Sequence, residues 1–237
     1  MQGSDLSAIV LCYRAGESIH RVIDPLYAQL EEAGVAFELV LVANHDANRP
    51  DPTSEIVREF AGAHPHARAL VGEKHGGMSW DMRSGLEAAR GNYLVVIDGD
   101  AQNPIEDVLE MYRRMKQTGA QVMKGRRIAR FDGWWRRIVS VGYNASFLLL
   151  FGTRGVWDVN GKPKGLTRAA YERMSLTSDG WFIDAEIVLA ARRLGLDVGE
   201  LPVVFRRNDE RQSFVEPAAI WEFVVNMLRE RFGRRPR

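Results

Sequence analysis

The sequence predicts an α/β fold: a mainly parallel sheet with helices on both faces. Three observations carry that expectation. Short apolar segments alternate with amphipathic ones through the first 120 residues. Alternation of strand-like and helix-like segments builds βαβ units and a parallel sheet. One apolar segment, Tyr93 to Ile97, runs directly into Asp98-Gly99-Asp100, and in such sheets ligands collect beyond the carboxyl ends of the strands.

The elements follow in order. Ala8 to Cys12 reads as the first strand. Glu17 to Ala33 reads as a helix, because Ile19, Val22, Ile23, Leu26 and Leu30 recur on one face. Phe37 to Val42 is the second strand, Thr53 to Ala61 a helix, and Ala67 to Val71 the third strand. Met78 to Ala89 is helical and is closed by Gly91. Tyr93 to Ile97 is the fourth strand, Ile105 to Thr118 a helix begun after Pro104, and Gln121 to Gly125 the fifth strand. From residue 126 the alternation weakens into a basic, aromatic stretch, RRIARFDGWWRR, and an apolar stretch from Ile138 to Phe151. No linker or repeat interrupts the chain. The expectation is therefore one domain over 1–237, with a ligand-binding half at 1–125 and an elaborated half at 126–237.

Composition narrows the class. The chain of 237 residues is 46% hydrophobic and 27% charged, ordinary for a globular protein. The single cysteine, Cys12, excludes an internal disulfide. The opening MQGSDLSAIV lacks the pattern of a signal peptide, and no long uncharged apolar run predicts a membrane-spanning helix. The net charge of +1 is unevenly spread. Lys124, Arg126, Arg127, Arg130, Arg136 and Arg137 face only Asp132 in their stretch, and the last nine residues hold five arginines against Glu230. These segments suit an anionic partner, a membrane surface or a phosphate, or else form solvated arginine faces. A nucleic-acid partner is not expected.

Asp98 and Asp100 lie two positions apart, so in an extended chain both project to one side. Adjacent carboxylates repel unless a cation lies between them. A hard divalent cation, Mg²⁺ or Mn²⁺, takes oxygen ligands from carboxylates and from substrate phosphates, and Gln102 adds an amide oxygen. The bland alternative is that the aspartates only cap the turn before the next helix. No cysteine or histidine cluster points to structural zinc.

LVVIDGDAQNPIEDVLEMYRRM resembles the Asp-X-Asp segment of family 2 glycosyltransferases with the GT-A fold, a Rossmann-like architecture, and above all the dolichol-phosphate mannose synthase branch. There the segment typically reads D-A-D-L-Q-H-P-P-E. AIVLCYRAGESIHRVI resembles the family's first strand and helix, and HGGMSWDMRSGLEAARGNYLVVIDGD its G-K-G-x-A-x-x-x-G run. DVNGKPKGLTRAAYERM resembles D-x-x-S-G-F-K/R, and DGWFIDAEI with ELPVVF resembles the acceptor-side end.

The resemblance implies a nucleotide-sugar donor whose diphosphate is neutralised by Mg²⁺ or Mn²⁺. It matches Asp100 and Gln102 to metal-binding positions and Asp98 to the position supporting donor and metal. Tyr13 and Glu17 fall near the nucleobase contacts, with Asn44, Asp46, Gly77 and Asp81 completing the donor set. Departures are specific. Ala43-Asn44 stands where the family has an acidic pair, Met78 replaces the usual lysine after Gly77, and Asp81 stands where a small residue is common. Catalytic roles fall to Asp98, Asp100 and Asp184. Asp184 is the candidate base for a hydroxyl acceptor. A phosphate acceptor needs no base, and there Asp184 holds the donor sugar or orders an acceptor loop. Arg126, Arg127, Arg137, Arg206, Arg207 and Ser213 are the expected acceptor-phosphate set, arginine forks being suited to phosphate oxygens. Phe214 occupies the family's lysine position, with Arg211 nearby.

Trp134, Ile138, Val141, Ala145 and Leu148 make one helical stripe flanked by tryptophan and arginine, and the C-terminal AAIWEFVVNMLRERFGRRPR repeats the pattern. Both suit a membrane interface, or ordinary core. The expected protein is a metal-dependent inverting glycosyltransferase. It acts on a polyprenyl phosphate, peripherally, at the cytoplasmic face of a membrane. The alternatives are a hydroxyl acceptor on the same fold, or an inactive module that retains ligand or membrane binding.

Overall fold

The computed structural model describes residues 3–49, 51–130, 134–152, 156–206 and 217–232. Its elements are β1 (Leu6–Leu11), α1 (His20–Glu32), β2 (Phe37–Val42), α2 (Thr53–Ala63), β3 (Ala67–Leu70), α3 (Met78–Ala88), β4 (Tyr93–Asp98) and α4 (Glu106–Thr118). There follow β5 (Val122–Arg130), α5 (Trp134–Phe151), β6 (Lys164–Thr167), α6 (Arg168–Arg173), α7 (Ile183–Arg193), β7 (Val198–Phe205) and α8 (Pro217–Phe232). One seven-stranded sheet in the order β3-β2-β1-β4-β6-β5-β7 takes strands from both halves of the sequence. Only β6 is antiparallel to its neighbours.

The expected α/β sheet with helices on both faces is present. Alternation along the buried strands explains it, since successive side chains point to opposite faces. Ala8, Val10, Leu39, Leu41, Val95 and Ile97 pack against α1, α2 and α4. Ile9, Leu11, Val40, Val42, Leu94 and Val96 meet α3, α6 and α7 on the other face. A third cluster joins Phe147 of α5, Val188 and Leu189 of α7 and Met227 of α8.

Several expectations shift. The segment expected as a helix from Glu17 opens as a single tighter turn, Gly16–Ile19, before α1 proper. The fifth strand runs to Arg130 rather than stopping at Gly125, because its parallel pairing with β7 continues through Arg130↔Phe205 across a local irregularity. Its partner β7 is the edge strand of the sheet, with Leu201 and Val203 buried and Pro202 and Val204 exposed. Helix α5 exists, but its buried side is Tyr143, Phe147, Leu150 and Phe151. Val141 and Ala145 of the expected stripe face solvent, Leu148 is half-buried, and the Trp134 and Ile138 side chains lie outside the described residues.

Phe147 is fully buried between α5, α7 and α8. Phe147→Ala should cost about 3–5 kcal/mol of local stability. Hydrogen exchange should quicken in α5 and α8 while amides of β1 and β4 keep their protection; equal loss across the sheet would mean that α5 belongs to the central cooperative unit.

Candidate active site

The chain turns back in sheet order between β1 and β4, which are neighbours although β2 and β3 intervene in sequence. Ligand crevices form at such reversals, beyond the strand ends. Asp98 is the last residue of β4 and stands at this rim with its side chain about a third exposed. Gly99 follows because nothing larger fits: a Cβ there would lie 2.7 Å from Ile19 Cδ1 and 2.8 Å from the Leu11 carbonyl. Its N–H continues the ladder to that carbonyl at 3.0 Å. Asp100 then accepts the Gln102 N–H at 3.0 Å, closing a tight turn through Ala101, whose φ is +58°. The packing of Gly99 and the turn at Ala101 thereby set the backbone that carries Asp98 and Asp100.

Gln102 is held from the far edge of the sheet. Its side-chain amide donates to the Arg206 carbonyl at 3.1 Å, and the Arg206 N–H donates to the Gln102 carbonyl at 2.7 Å. With its amide nitrogen engaged, Gln102 offers its amide oxygen. The donor atoms at this turn are all oxygens, which fits a hard divalent cation. Among the described residues no group of three or more His, Cys, Asp or Glu could hold a metal unaided. A cation held here would need ligands beyond the carboxylates, such as the Gln102 amide oxygen and water, and Mg²⁺ commonly keeps several waters.

Four of the expected donor residues meet beyond the ends of β1, β2 and β3. Tyr13 donates its hydroxyl to Asp46 at 2.5 Å, and burial together with that carboxylate pushes its pKa up. Asn44 donates to Asp81 at 3.0 Å. Lys74, which the sequence reading passed over, pairs with Asp81 and lies 3.9 Å above the Tyr13 ring. Burial raises the Asp81 carboxyl despite Lys74 and Asn44. The Gly77 N–H donates to the Asp179 carbonyl at 2.6 Å, seating the start of α3 on the loop before α7. Glu17 is not part of this group. Its side chain is 84% exposed and faces His20.

Asp184 parts from its sequence neighbours Asp179 and Glu186, and the three carboxylates meet different partners. Asp179 pairs with Arg83, Glu186 accepts the N–H groups of Thr177 and Ser178, and only Asp184 turns toward the rim. Because β6 runs antiparallel, its first residues lie beside the carboxyl end of β4. That register delivers Lys162 and Lys164 to Asp184, at 3.1 and 2.6 Å. All three are at least 96% buried as side chains. Burial alone would raise the Asp184 carboxyl, but the two ammonium groups prevail and hold it at about 2. Lys162 also lies 3.9 Å from Asp98. Neither lysine was singled out from sequence. The available signal was GKPKG itself, two cations two residues apart between glycines in an otherwise apolar region.

The arginines divide as well. Arg127 is committed to Asp158 through two contacts of 2.7 Å, and Asp158, which burial would raise, is held low by that guanidinium. Arg126 is half-exposed, 3.9 Å from Glu200. Arg206 contributes its backbone to Gln102. Arg207, Arg211, Ser213, Phe214 and the Arg137 side chain lie outside the described residues.

Strand order and an Asp-X-Asp turn at the reversal place the molecule among GT-A-type folds. Sequence comparison agrees: the family model Glycosyl transferase family 2 matches residues 7–176, and the chain belongs to that family. It is 27% identical over 216 residues to a dolichyl-phosphate beta-glucosyltransferase of Trichomonas vaginalis, covering 86% of this chain and 66% of that protein. It is 24% identical over 234 residues to a dolichol-phosphate mannosyltransferase of Pyrococcus furiosus, covering 94% of this chain and 63% of that one. The chain thus spans about two thirds of the length of these relatives. Among solved structures it resembles glucosyl-3-phosphoglycerate synthase from Mycobacterium tuberculosis, determined with Mn²⁺, UDP and phosphoglyceric acid. The TM-score is 0.74 at 20% identity, over 98% of this chain and 80% of that one. Mannosyl-3-phosphoglycerate synthase from Rubrobacter xylanophilus gives 0.73 at 16%, over 99% and 77%. At these identities the likeness is one of fold.

Asp184→Asn leaves two buried ammonium groups without their counter-ion and should cost about 3–5 kcal/mol. The sign with pH is fixed by the depressed carboxyl. The stability Asp184 contributes is whole above its unfolded value of 3.8 and is lost as pH falls through about 2. Acid unfolding of Asp184→Asn should therefore lack the part of the transition between those values that the parent shows; identical acid transitions would remove Asp184 from the account.

Proposed function

We propose that this chain transfers a sugar, with inversion, from a nucleotide-sugar donor to a polyprenyl phosphate at a membrane surface, using Mg²⁺ or Mn²⁺. The observation that carries the acceptor class is the state of Asp184. A carboxylate held at about 2 and enclosed by Lys162 and Lys164 is poorly matched to taking a proton from a hydroxyl, since a general base works best near the operating pH. A phosphate monoester arrives already anionic. The dolichyl-phosphate relatives support the same reading.

In this mechanism Asp98, Asp100 and Gln102 would hold the metal, which would supply Lewis-acid neutralisation of the leaving diphosphate. Tyr13, Asn44, Asp46, Lys74 and Asp81 form the nucleoside end of the donor site, with the backbone at Gly77 flanking the phosphates. Arg126 and Arg206, joined by Arg137, Arg207 and Ser213, receive the acceptor phosphate. Asp184 orders the lysine-bearing turn before β6. Residues 1–125 serve the donor and 126–237 the acceptor, within one domain.

Membrane contact falls to α5 and α8, which pack together through the third apolar cluster. They leave Val141, Leu149, Trp221, Leu228 and Phe232 exposed, with Leu149 at 86% and Trp221 at 70%. Arg229 and Arg231 lie exposed on the same helix as Trp221. Apolar side chains with tryptophan and arginine suit the headgroup boundary. Among the described residues no helix is long and apolar enough to cross a membrane.

Thermal shift with a panel of nucleotide sugars, with and without Mn²⁺, should show stabilisation by one donor that grows with metal. With that donor, a short polyprenyl phosphate should be glycosylated while the corresponding alcohol and phosphoglyceric acid are not; turnover of either of the latter instead would reassign the acceptor. Asp100→Ala or chelation should lower turnover about a hundredfold or more. Leu149→Glu and Trp221→Glu should each weaken co-sedimentation with anionic lipid vesicles about tenfold or more, the cost of losing one buried apolar side chain. Unchanged sedimentation would place the membrane contact elsewhere.

A further inference from the structure

Two departures from the family pattern, far apart in sequence, touch in space. Met78 stands where the family carries a lysine, and Lys162 stands at the glycine of the D-x-x-S-G-F-K/R segment. The Lys162 ammonium lies 3.6 Å from the Met78 sulfur. It is also 3.1 Å from Asp184 and 3.9 Å from Asp98 at the mouth of the donor crevice.

We propose that Lys162 is the donor-diphosphate cation of this protein, reaching from the turn before β6 the place that a lysine at position 78 would otherwise fill. This rests on the donor-site reading above. The backbone is built for the substitution. Gly125 and Gly161 let the two chains close until a Cβ on Gly125 would lie 2.2 Å from the Lys162 carbonyl. The Gly125 N–H donates to the Pro163 carbonyl at 2.8 Å. Lys162 therefore cannot swing away with a mobile loop.

The charge balance explains why this cation can serve a ligand. Lys164 alone neutralises Asp184, at 2.6 Å, with the Val159 and Asp184 carbonyls completing its contacts. Lys162 is a second positive charge on the same carboxylate. Its remaining charge is directed at Asp98, the one of its two carboxylate partners that is partly exposed. Asp98 and Asp100 would hold the divalent cation; the Asp98 charge would then be shared, and the Lys162 ammonium beside it would be left to a phosphate oxygen. Without donor, the same ammonium opposes a divalent cation at Asp98, so that metal and diphosphate bind best together.

The test is calorimetric titration of uridine and guanosine diphosphates, metal-free, and of Mn²⁺ alone, on the parent, Lys162→Met and the exchange variant Met78→Lys/Lys162→Met. Lys162→Met keeps Asp184 paired with Lys164, and its fold is checked by near-ultraviolet circular dichroism. The expected result is a ten- to hundredfold loss of metal-free nucleoside diphosphate affinity in Lys162→Met, the range for one charge-assisted hydrogen bond. Mn²⁺ alone should bind several-fold more tightly, and the exchange variant should recover the diphosphate affinity. Folded Lys162→Met that binds the diphosphate as the parent does would overturn the assignment, as would an exchange variant no better than the single one. A parent that binds neither diphosphate, with or without Mn²⁺, would instead overturn the donor-site reading itself.

Discussion

The rim of this molecule depends on a buried ion cluster of two ammonium groups and one carboxylate. Lys162 and Lys164 come from the turn into β6 and Asp184 from the start of α7, and each is nearly sealed from water. Removing charges from water costs several kcal/mol per ion, offset only where geometry and hydrogen bonds are good. Here they are. Lys164 reaches two carbonyls besides the carboxylate, and β6 is fixed between β4 and β5 by ladders on both sides. The cluster thus ties the antiparallel strand, the strand bearing Asp98 and the helix that carries the third apolar cluster to one another.

The antiparallel β6 makes the site compact. A parallel strand in that place would bring its carboxyl end to the rim, and the residues before it would lie at the far side of the sheet. Reversed, it presents its entering turn to the crevice and its exit to α6, so that GKPKG meets Asp98. A parallel strand ends in Asp98, and the turn into the one reversed strand brings Lys162 beside it.

The central strands were legible in the sequence because they are buried on both faces and read as uninterrupted apolar runs. Phe37–Val42 has the predicted boundaries, and the Asp98-Gly99-Asp100 turn ends its strand as expected. What escaped was set by long-range pairing. Lys164–Thr167 is too short and mixed to announce a strand and exists through ladders to β4 and β5. Lys74, after β3, belongs to no motif of the sequence, yet packs on Tyr13 and Asp81. Arg127 looked like a phosphate ligand, but Asp158, 31 positions on in sequence, claims it. Single-residue chemistry was readable; the partner that commits each charge was not, because it arrives from another strand.

The paired hydrogen bonds between Gln102 and the Arg206 backbone have a further consequence. They make the turn that carries Asp100 and the chain leaving β7 one mechanical unit. On the proposed reading, a ligand that displaced the Arg206 backbone would displace the Gln102 amide oxygen with it, and occupancy at the end of β7 would be coupled to occupancy at the Asp98–Asp100 turn.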